Sequence, residues 1–340
     1  MRAIAYQTAG SIDRADALMD VDLPMPVPAG RDLLVEVKAV SVNPVDVKVR
    51  AGMQPPPGEW KVLGWDAAGI VTAIGPDVVN FAVGDSVYYA GDLLRSGTNA
   101  QFHLVDERIV GGKPASLDWA EAAAVPLTAI TAWEALFDRL RVKTPVAGAA
   151  NALVIIGGAG GVGSIAIQLA RALTDVTVIA TASRPETQDW ARKMGAHHVI
   201  DHRQPIAPQV AALGLGAPAF VFSTTNTQDH LEDIAELIAP QGRFALIDDP
   251  AGLDIMPFKR KAVSIHWEFM FTRSMFATDD MAEQGKLLNQ VGALIDAKQV
   301  STTLAERHGP ISAEVLKLLH ARVESQTARG KIVVEGWADK

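Results

Sequence analysis

A glycine-rich segment near the middle of the chain carries the strongest chemical signal. It reads Gly158-Ala159-Gly160-Gly161-Val162-Gly163 and matches the spacing G-x-G-x-x-G. In this pattern the first glycine allows a tight turn, the second lets the backbone approach a pyrophosphate, and the third permits close helix–strand packing. A helix that begins at the segment offers its unpaired N–H groups to the phosphates. The predicted dinucleotide-binding residues are Gly158, Gly160, Gly161, Val162 and Gly163.

The end of the next predicted strand decides which dinucleotide is expected. A site for NADH usually carries Asp or Glu about 20 residues after the glycines, where it binds the ribose 2′-hydroxyl. This chain has Ser183 and Arg184 there instead. A carboxylate would repel the 2′-phosphate of NADPH, whereas a guanidinium can pair with it. We therefore predict NADPH, with a solvated loop arginine beside Glu186 as the open alternative.

Two more polar residues lie at the ends of predicted strands. His202 follows the strand at His198–Asp201 and can face the same phosphate from the other side, although a surface histidine explains the pattern equally well. Ser223 ends a predicted parallel strand on its carboxyl side, where such sheets bind ligands. Both residues are therefore candidates for cofactor binding.

The elements that must position these residues change in character near residue 118. Before it, stretches such as Leu33–Val42 alternate apolar and polar residues between Gly and Pro turns, which predicts antiparallel strands of a small barrel or sandwich. After it, strands and helices alternate, which predicts a doubly wound parallel sheet. The glycine segment joins a strand at Ala152–Ile156 to a helix at Ser164–Leu173. The fold class is therefore α/β.

The composition excludes several classes of protein. The 340 residues suffice for about two domains, and 49% hydrophobic with 21% charged residues is a globular balance. The formal net charge of −8 gives no positive field that would hold nucleic acid or an anionic membrane. The absence of cysteine excludes disulfides, thiolate nucleophiles and iron–sulfur ligation.

The sequence predicts neither a membrane span nor a secretion signal. Residues 152–170 carry no charge over a membrane-spanning length, but the glycines interrupt them and favour a strand, a turn and a helix. The first residues lack the apolar core of a signal peptide. We therefore expect a cytoplasmic protein without nucleic-acid or membrane partners.

Short motifs spread over nearly the whole chain form a recognisable set. Besides the glycine segment they are Asn43-Pro44-Val45-Asp46, Gly64-Trp65-Asp66-Ala67-Ala68-Gly69, Gly84-Asp85-Ser86-Val87, Ala122–Thr131 and Gly330-Lys331-Ile332-Val333. In their order and spacing these motifs resemble the medium-chain dehydrogenase/reductase superfamily. The closer likeness is to its zinc-free quinone oxidoreductase branch, whose members are often labelled zinc-type alcohol dehydrogenase-like proteins.

The resemblance implies an architecture and an assembly. It implies a GroES-like β-barrel domain whose first part covers residues 1–124, followed by a Rossmann NADPH-binding domain over residues 125–265. A C-terminal segment, residues 266–340, would return to the first domain. The resemblance further implies a homodimer or a tetramer.

The resemblance also allows a test for zinc. Zinc-dependent relatives place a Cys ligand near the position of Asn43 and a His ligand at the position of Trp65. Tryptophan cannot bind a metal, and the chain has no cysteine to complete a thiolate–imidazole site. We therefore expect neither a catalytic nor a structural zinc.

Further roles come from the resemblance residue by residue. It places Asn43 and Asp46 near the nicotinamide and the substrate, as catalytic candidates, while a turn pair that satisfies the local backbone is the alternative. It places Thr131 among the cofactor contacts and Phe271 in a loop, residues 269–272, that covers the nicotinamide. Relatives carry a tyrosine at the position of His202.

The loss of zinc decides which reaction is expected. Zinc would polarise the oxygen of an alcohol or carbonyl, whereas a quinone or an α,β-unsaturated carbonyl compound is already electron-poor. We therefore predict NADPH-dependent hydride transfer to a quinone or an enone. The alternatives are a metal-free alcohol or aldehyde oxidoreductase, and a non-catalytic NADPH-binding redox sensor.

Overall fold

The computed structural model describes residues 1–338, so the last two positions of the predicted C-terminal segment lie outside the described residues. The chain divides into two compact units. The first unit contains residues 1–130 and the chain from Phe271 onward, and the second contains Thr131–Met270. The chain thus passes between units at residues 131 and 271, where the sequence predicted residues 125 and 266.

The strands belong to antiparallel or mixed sheets in the first unit and to a parallel sheet in the second. In chain order they are β1 Arg2–Tyr6, β2 Met19–Asp22, β3 Asp32–Val42, β4 Lys61–Val62, β5 Ala67–Ile74, β6 Ser86–Tyr89, β7 Phe102–Asp106, β8 Val110–Gly112, β9 Ala150–Ile156, β10 Thr177–Thr181, β11 His198–Ile200, β12 Pro218–Ser223, β13 Arg243–Leu246, β14 Ser264–Trp267, β15 Leu304–His308 and β16 Lys331–Glu335.

The α-helices connect the parallel strands of the second unit and pack beside the sheets of the first. In chain order they are α1 Pro44–Gly52, α2 Trp119–Ala123, α3 Pro126–Trp133, α4 Gly161–Leu173, α5 Pro185–Lys193, α6 Ile206–Ala212, α7 Leu231–Leu237, α8 Thr272–Met275, α9 Glu283–Asp296 and α10 Ala313–Glu324. A π-helical segment, Glu134–Arg139, continues directly from α3.

In the first unit, β3 is the centre of the main sheet. It pairs antiparallel with β5, β7 and β16, which confirms the antiparallel reading of this region. Val35 and Val37 are buried while Glu36 between them is partly exposed, as the alternation of the sequence requires. Because β16 pairs with the end of β3, it brings Lys331 beside the start of α1.

In the second unit, the strands form one parallel sheet in the order β11-β10-β9-β12-β13-β14. The last five residues of β9 are all buried, as expected for a strand covered on both faces by helices. Val154, Ile179, Val221 and Phe244 belong to one apolar core cluster on this sheet. The predicted doubly wound parallel sheet is confirmed.

The uncharged residues 152–170 are mostly buried within the second unit. They form most of β9, the glycine loop and the first part of α4. Within residues 1–338, the structure contains no helix that is long and apolar enough to cross a membrane.

Helix α1 and strand β14 are among the elements that the sequence prediction did not contain. Helix α1 begins at Pro44, with Asn43 as its N-cap, although the sequence suggested only a turn there. Strand β14 extends the parallel sheet past residue 265, and its short, partly polar sequence gives little strand signal. The extra strand explains why the second unit ends later than predicted.

Candidate functional site

The glycine loop of the second unit contains glycines that packing requires and one glycine that packing does not require. A Cβ atom on Gly158 would lie 2.7 Å from the Cβ of Ala180, and one on Gly163 would lie 2.3 Å from the carbonyl oxygen of Gly157. A Cβ on Gly160 would meet only that carbonyl oxygen, at 3.5 Å, which is ordinary contact. Packing therefore does not explain why residue 160 is a glycine. The absence of a side chain at Gly160 leaves room for a ligand to approach the backbone.

The left-handed residue of the turn lies one position before the first glycine of the motif. Gly157 has a φ of +83°, the left-handed region that favours glycine, while Gly158 is outside that region. Gly158 is a central residue of the turn, in which the N–H of Gly160 donates to the carbonyl oxygen of Gly157 at 3.1 Å, and its missing side chain also allows close packing of the loop on β10.

Helix α4 begins at the loop and presents its first turn there. Gly160 is the N-cap, and Gly161 and Val162 are the first residues of the helix. The N–H groups of a first turn have no acceptor within the helix, and they carry the positive end of its dipole. Together with the open position at Gly160, this arrangement fits the pyrophosphate of a dinucleotide.

A hydrogen-bonded chain links the glycine loop to His202. The N–H of Gly157 donates to Thr181 Oγ1 at 3.1 Å, and Thr181 Oγ1 lies 3.0 Å from His202 Nδ1. The N–H of Gly158 donates to the carbonyl oxygen of Thr181 at 3.0 Å. The structure therefore brings His202 next to the predicted cofactor loop, although a direct contact with the cofactor stays a prediction.

Ser183 and Arg184 follow directly from the carboxyl end of β10. Arg184 is the N-cap residue of α5, and its Nε lies 2.8 Å from Glu186 Oε1. The side chains of Arg184 and Glu186 are 37% and 54% exposed, and an ion pair this exposed contributes at most about 1 kcal/mol. A phosphate dianion can therefore compete with Glu186 for the guanidinium.

The other predicted cofactor residues are packed within the protein. The Ser223 hydroxyl is fully buried and lies 2.8 Å from Thr227 Oγ1, and Thr131 on α3 is 5% exposed. Phe271 belongs to the first unit, where its ring packs edge-on against Trp65 with centroids 6.2 Å apart. Cofactor contacts by these three residues stay predictions.

In the first unit, Asn43, Asp46, Asp66 and Lys331 form a cluster that we call the buried polar cluster. Asn43 Nδ2 donates to Asp66 Oδ2 at 2.9 Å, and Lys331 Nζ lies 3.1 Å from the same oxygen. Lys331 also donates to Asn43 Oδ1. The second oxygen of Asp66 accepts from the N–H of Leu127 at 2.8 Å.

Asn43 and Asp46 also form a capping box at the start of α1. The N–H of Asn43 donates to Asp46 Oδ2 at 2.6 Å. The alternative interpretation, a pair that satisfies local backbone, is therefore correct for this contact. The Asn43 side chain additionally joins Asp66 to Lys331, so the pair does more than cap a helix.

Burial acts on the pKa of both acids in the cluster. It raises the pKa of Asp46 to about 7, although the N–H of Asn43 and the charge of Lys331 act in the opposite direction. It also raises the pKa of Asp66, against the effect of Lys331. Within the described residues, Asp46 Oδ1 has no hydrogen-bond partner, which fits a carboxyl group that holds a proton near neutral pH.

The cluster does not fit a zinc site. Lys331 places a positive charge against Asp66, and the amide of Asn43 is engaged with both. Trp65 is 1% exposed and donates from Nε1 to the carbonyl oxygen of Asp92 at 3.2 Å, so it serves packing. Among residues 1–338, no three His, Asp or Glu side chains are grouped to hold a metal ion.

Sequence reasoning gave no role to Lys331. The residue appeared only within the motif Gly330-Lys331-Ile332-Val333. The one feature of the sequence that could have indicated a role is the position of a charged residue at the start of an apolar strand. The structure shows that this side chain is 3% exposed and joins the buried polar cluster. Its partners lie almost a full chain length away in sequence, which no local pattern reveals.

The second unit contains another buried acid that the sequence did not single out. Glu268 follows β14, contacts Glu134 of the π-helical segment, and accepts from Arg139 Nε at 2.9 Å. Burial and the neighbouring charge of Glu134 raise the pKa of Glu268 to about 9, against the effect of Arg139. The two carboxyl groups therefore hold a proton between them at neutral pH.

This pair predicts a pH-dependent stability. The folded state keeps a proton on Glu268 that the unfolded state releases above its ordinary pKa, so the free energy of unfolding falls as pH rises towards 9. We expect Glu268→Gln to reduce this fall, because glutamine mimics the protonated acid. Urea unfolding at about pH 6 and pH 9 measures the change in the free energy of unfolding. Glu283→Gln is the control, because the side chain of Glu283 is exposed. Equal slopes for all three proteins would contradict the assignment.

The comparisons with known proteins agree with these observations. Residues 29–132 match the family described as "Alcohol dehydrogenase GroES-like domain", and residues 161–290 match "Zinc-binding dehydrogenase". A zinc-type alcohol dehydrogenase-like protein of Staphylococcus aureus is 37% identical over 98% of this chain and 99% of its own length.

Two further relatives extend the comparison. The crystal structure of a putative zinc-dependent alcohol dehydrogenase from Rhizobium etli is 66% identical, has a TM-score of 0.98, and matches 100% of this chain and 99% of its own. A chloroplast envelope quinone oxidoreductase homolog of Arabidopsis thaliana is 32% identical over 60% of this chain and 62% of its own length.

The chain therefore belongs to the medium-chain dehydrogenase/reductase superfamily, with a GroES-like domain and a Rossmann-type domain. Within that superfamily it is a zinc-type alcohol dehydrogenase-like oxidoreductase. The family name refers to zinc, whereas the residues at the two ligand positions of this chain, Asn43 and Trp65, do not fit that metal.

Proposed function

We propose that the protein is a zinc-independent oxidoreductase that uses NADPH to reduce a quinone or an α,β-unsaturated carbonyl compound. The observation that carries the proposal is the open backbone at Gly160, at the start of α4, beside a strand end that bears Arg184 and no acid at the ribose position. The 32% identical quinone oxidoreductase homolog supports the substrate class.

The residues of the chain have separate tasks in this proposal. NADPH, when bound, supplies the hydride. The N–H groups of Gly161 and Val162 bind the pyrophosphate, and Ser183 and Arg184 bind the 2′-phosphate. The substrate needs no metal to accept hydride, because its own conjugated carbonyl is electron-poor. Orientation of the two reactants supplies the rate enhancement.

The buried polar cluster acts by positioning. Lys331 and Asp66 hold the amide of Asn43 in one orientation, and Asp46 fixes the start of α1. Asn43 and Asp46 are each 1% exposed, so their effect on a substrate operates through the backbone and side chains that they order. The proton that completes the reduction comes from solvent or from a nearby hydroxyl group.

The first test is a turnover assay in the presence of a chelator. NADPH consumption is followed with a small quinone and with an enone, and NADH is the paired control. We expect oxidation of NADPH with at least one acceptor, unaffected by the chelator. Loss of activity that Zn²⁺ restores would overturn the metal assignment. NADPH binding without turnover would favour the redox sensor, and turnover of simple alcohols with NADP⁺ would favour the metal-free alcohol oxidoreductase.

Arg184 gives the second test of the cofactor. We expect Arg184→Glu to weaken the binding of NADPH by about a hundredfold. The substitution removes a charge-assisted contact and adds a repulsion, which together cost about 3 kcal/mol. NADH affinity should change far less. The matched control is Arg192→Glu, near the other end of α5, where Arg192 pairs with Asp189 on the surface. Equal loss of both cofactors would remove the 2′-phosphate assignment.

We further propose that the protein is a homodimer or a tetramer. Strand β14 is at the end of the parallel sheet, and Trp267 on it is 56% exposed. An unpaired strand edge with an exposed indole suits contact with a second copy. Light scattering on the eluting protein tests it, and a monomer would reject it.

A further inference from the structure

A second histidine lies beside the predicted cofactor residue His202. The rings of His202 and His230 are 6.1 Å apart and tilted by 50°. Both side chains are half-buried. His230 ends the short 3₁₀ turn that follows β12, while His202 follows β11. The two imidazoles therefore come from different strands of the parallel sheet and meet beyond its carboxyl edge.

That edge is where the other predicted cofactor residues lie. The sheet order is β11-β10-β9-β12. Strands β10 and β9 therefore lie between β11 and β12, the strands that His202 and His230 follow. Arg184 lies beyond the carboxyl end of β10, and the glycine loop follows the carboxyl end of β9. His202 Nδ1 is tied to the loop through Thr181. Ligands of doubly wound sheets bind at this edge, so the pair of imidazoles borders the adenosine end of a bound dinucleotide.

Charged side chains face both histidines of the pair. His202 is faced by Asp201, Arg203 and His230, and Arg203 already neutralises Asp201 at 2.6 Å.

His230 is faced by three acids, Asp229, Asp233 and Asp248. Two of them are engaged elsewhere. Asp233 accepts the N–H groups of Ile206 and Ala207 at 2.9 Å, and Asp248 accepts that of Thr227 at 2.8 Å.

Burial favours the neutral form of both imidazoles. Burial and the proximity of His230 lower the pKa of His202, and burial lowers the pKa of His230. Among the described residues, no hydrogen bond is made by the ring nitrogens of His230 or by Nε2 of His202. A phosphate dianion placed between the rings would supply acceptors for these nitrogens and would favour their protonated forms.

We propose that His202 and His230 form a proton-linked subsite for the 2′-phosphate of the phosphorylated dinucleotide. The subsite rests on the proposed use of NADPH. It makes the preference for a 2′-phosphate depend on pH, because each proton taken up on binding strengthens binding by up to about tenfold for each pH unit of acidification. No covalent step is involved.

The experiment compares binding, without turnover, of two matched ligand pairs. Dissociation constants of NADPH and NADH, and of adenosine 2′,5′-bisphosphate and AMP, are measured by calorimetry between about pH 8 and pH 6. We expect the affinity ratio of phosphorylated to unphosphorylated ligand to rise by about tenfold in the wild-type protein. Calorimetry in buffers of different ionisation enthalpy should show proton uptake for the phosphorylated ligands.

Variants distinguish proton uptake by the two histidines from proton uptake by the ligand itself. The 2′-phosphate itself gains a proton near its second pKa of about 6, and that contribution is the same for every variant. His202→Gln and His230→Gln should each reduce the rise in the ratio and the proton uptake. His198→Gln, on β11, is the control and should leave both unchanged. Thermal melting confirms that each variant is folded.

The outcomes are distinct. An unchanged pH dependence in both variants, with NADPH still bound, would overturn the subsite and leave the proposed function intact. The same pH dependence for NADH or AMP would also overturn it, because the pair would then respond to another phosphate. Failure of the wild-type protein to bind NADPH at all would reject the proposed function itself.

Discussion

Gly160→Val is expected to abolish cofactor binding while leaving the protein folded. A Cβ at this position meets only the carbonyl oxygen of Gly157, at 3.5 Å, so the valine can be accommodated when no ligand is present. Its φ of −71° is also open to any residue. With a dinucleotide bound, the side chain would occupy the path of the pyrophosphate. Steric conflict of about 3 kcal/mol corresponds to an affinity loss of about a hundredfold or more.

The measurement is a dissociation constant for NADPH by fluorescence, with thermal melting on the same samples. The matched control is Gly163→Val, where a Cβ would lie 2.3 Å from the Gly157 oxygen. That substitution should lower the free energy of unfolding by about 3 kcal/mol. Normal NADPH affinity in Gly160→Val would show that the open position is not the path of the cofactor. Unfolding of Gly160→Val would show that packing, rather than a ligand, requires this glycine.

Lys331→Met should be among the most destabilising substitutions in the first unit. It removes the ammonium group that faces Asp66 at 3.1 Å and that also donates to Asn43 Oδ1. Both members of the ion pair are almost fully buried, at 3% and 0% side-chain exposure. Removing one partner of such a pair leaves an uncompensated buried charge and costs about 3–5 kcal/mol.

Urea unfolding at neutral pH measures the loss. The control is Lys286→Met, since Lys286 pairs with Glu283 on the surface of α9 and should contribute at most about 0.5 kcal/mol. The double variant Lys331→Met with Asp66→Asn should recover part of the loss, because it removes the unpaired carboxylate. A loss below about 1 kcal/mol in Lys331→Met would show that Asp66 is already protonated in the wild-type protein.

The same variant predicts a pH dependence with a definite sign. Without Lys331, burial raises the pKa of Asp66 further, so the folded state keeps a proton that the unfolded state releases above its ordinary pKa of about 3.9. The free energy of unfolding of the variant should therefore fall more steeply than that of the wild-type protein as pH rises from about 4 to 7. Parallel curves would contradict the assigned role of the ammonium group.

Several features could be predicted because their cause is local. The pattern of glycines between an apolar strand and a helix specifies a loop of one shape, since only that shape lets α4 pack on β9 and β10. The alternation in β3 specifies which of its residues face the core. The residues at positions 43 and 65 exclude zinc by their chemistry, wherever the backbone places them.

Other features were decided only by the tertiary structure. Lys331 and Asp66 form an ion pair because β16 joins the edge of β3, a pairing between opposite ends of the chain. His202 and His230 meet beyond the carboxyl edge of the parallel sheet, although β10 and β9 lie between the strands that the two histidines follow. The physical reason is the same in both cases. Local residue types determine a turn, a cap or a strand, whereas burial, charge pairing and pKa shifts depend on neighbours that only long-range packing supplies.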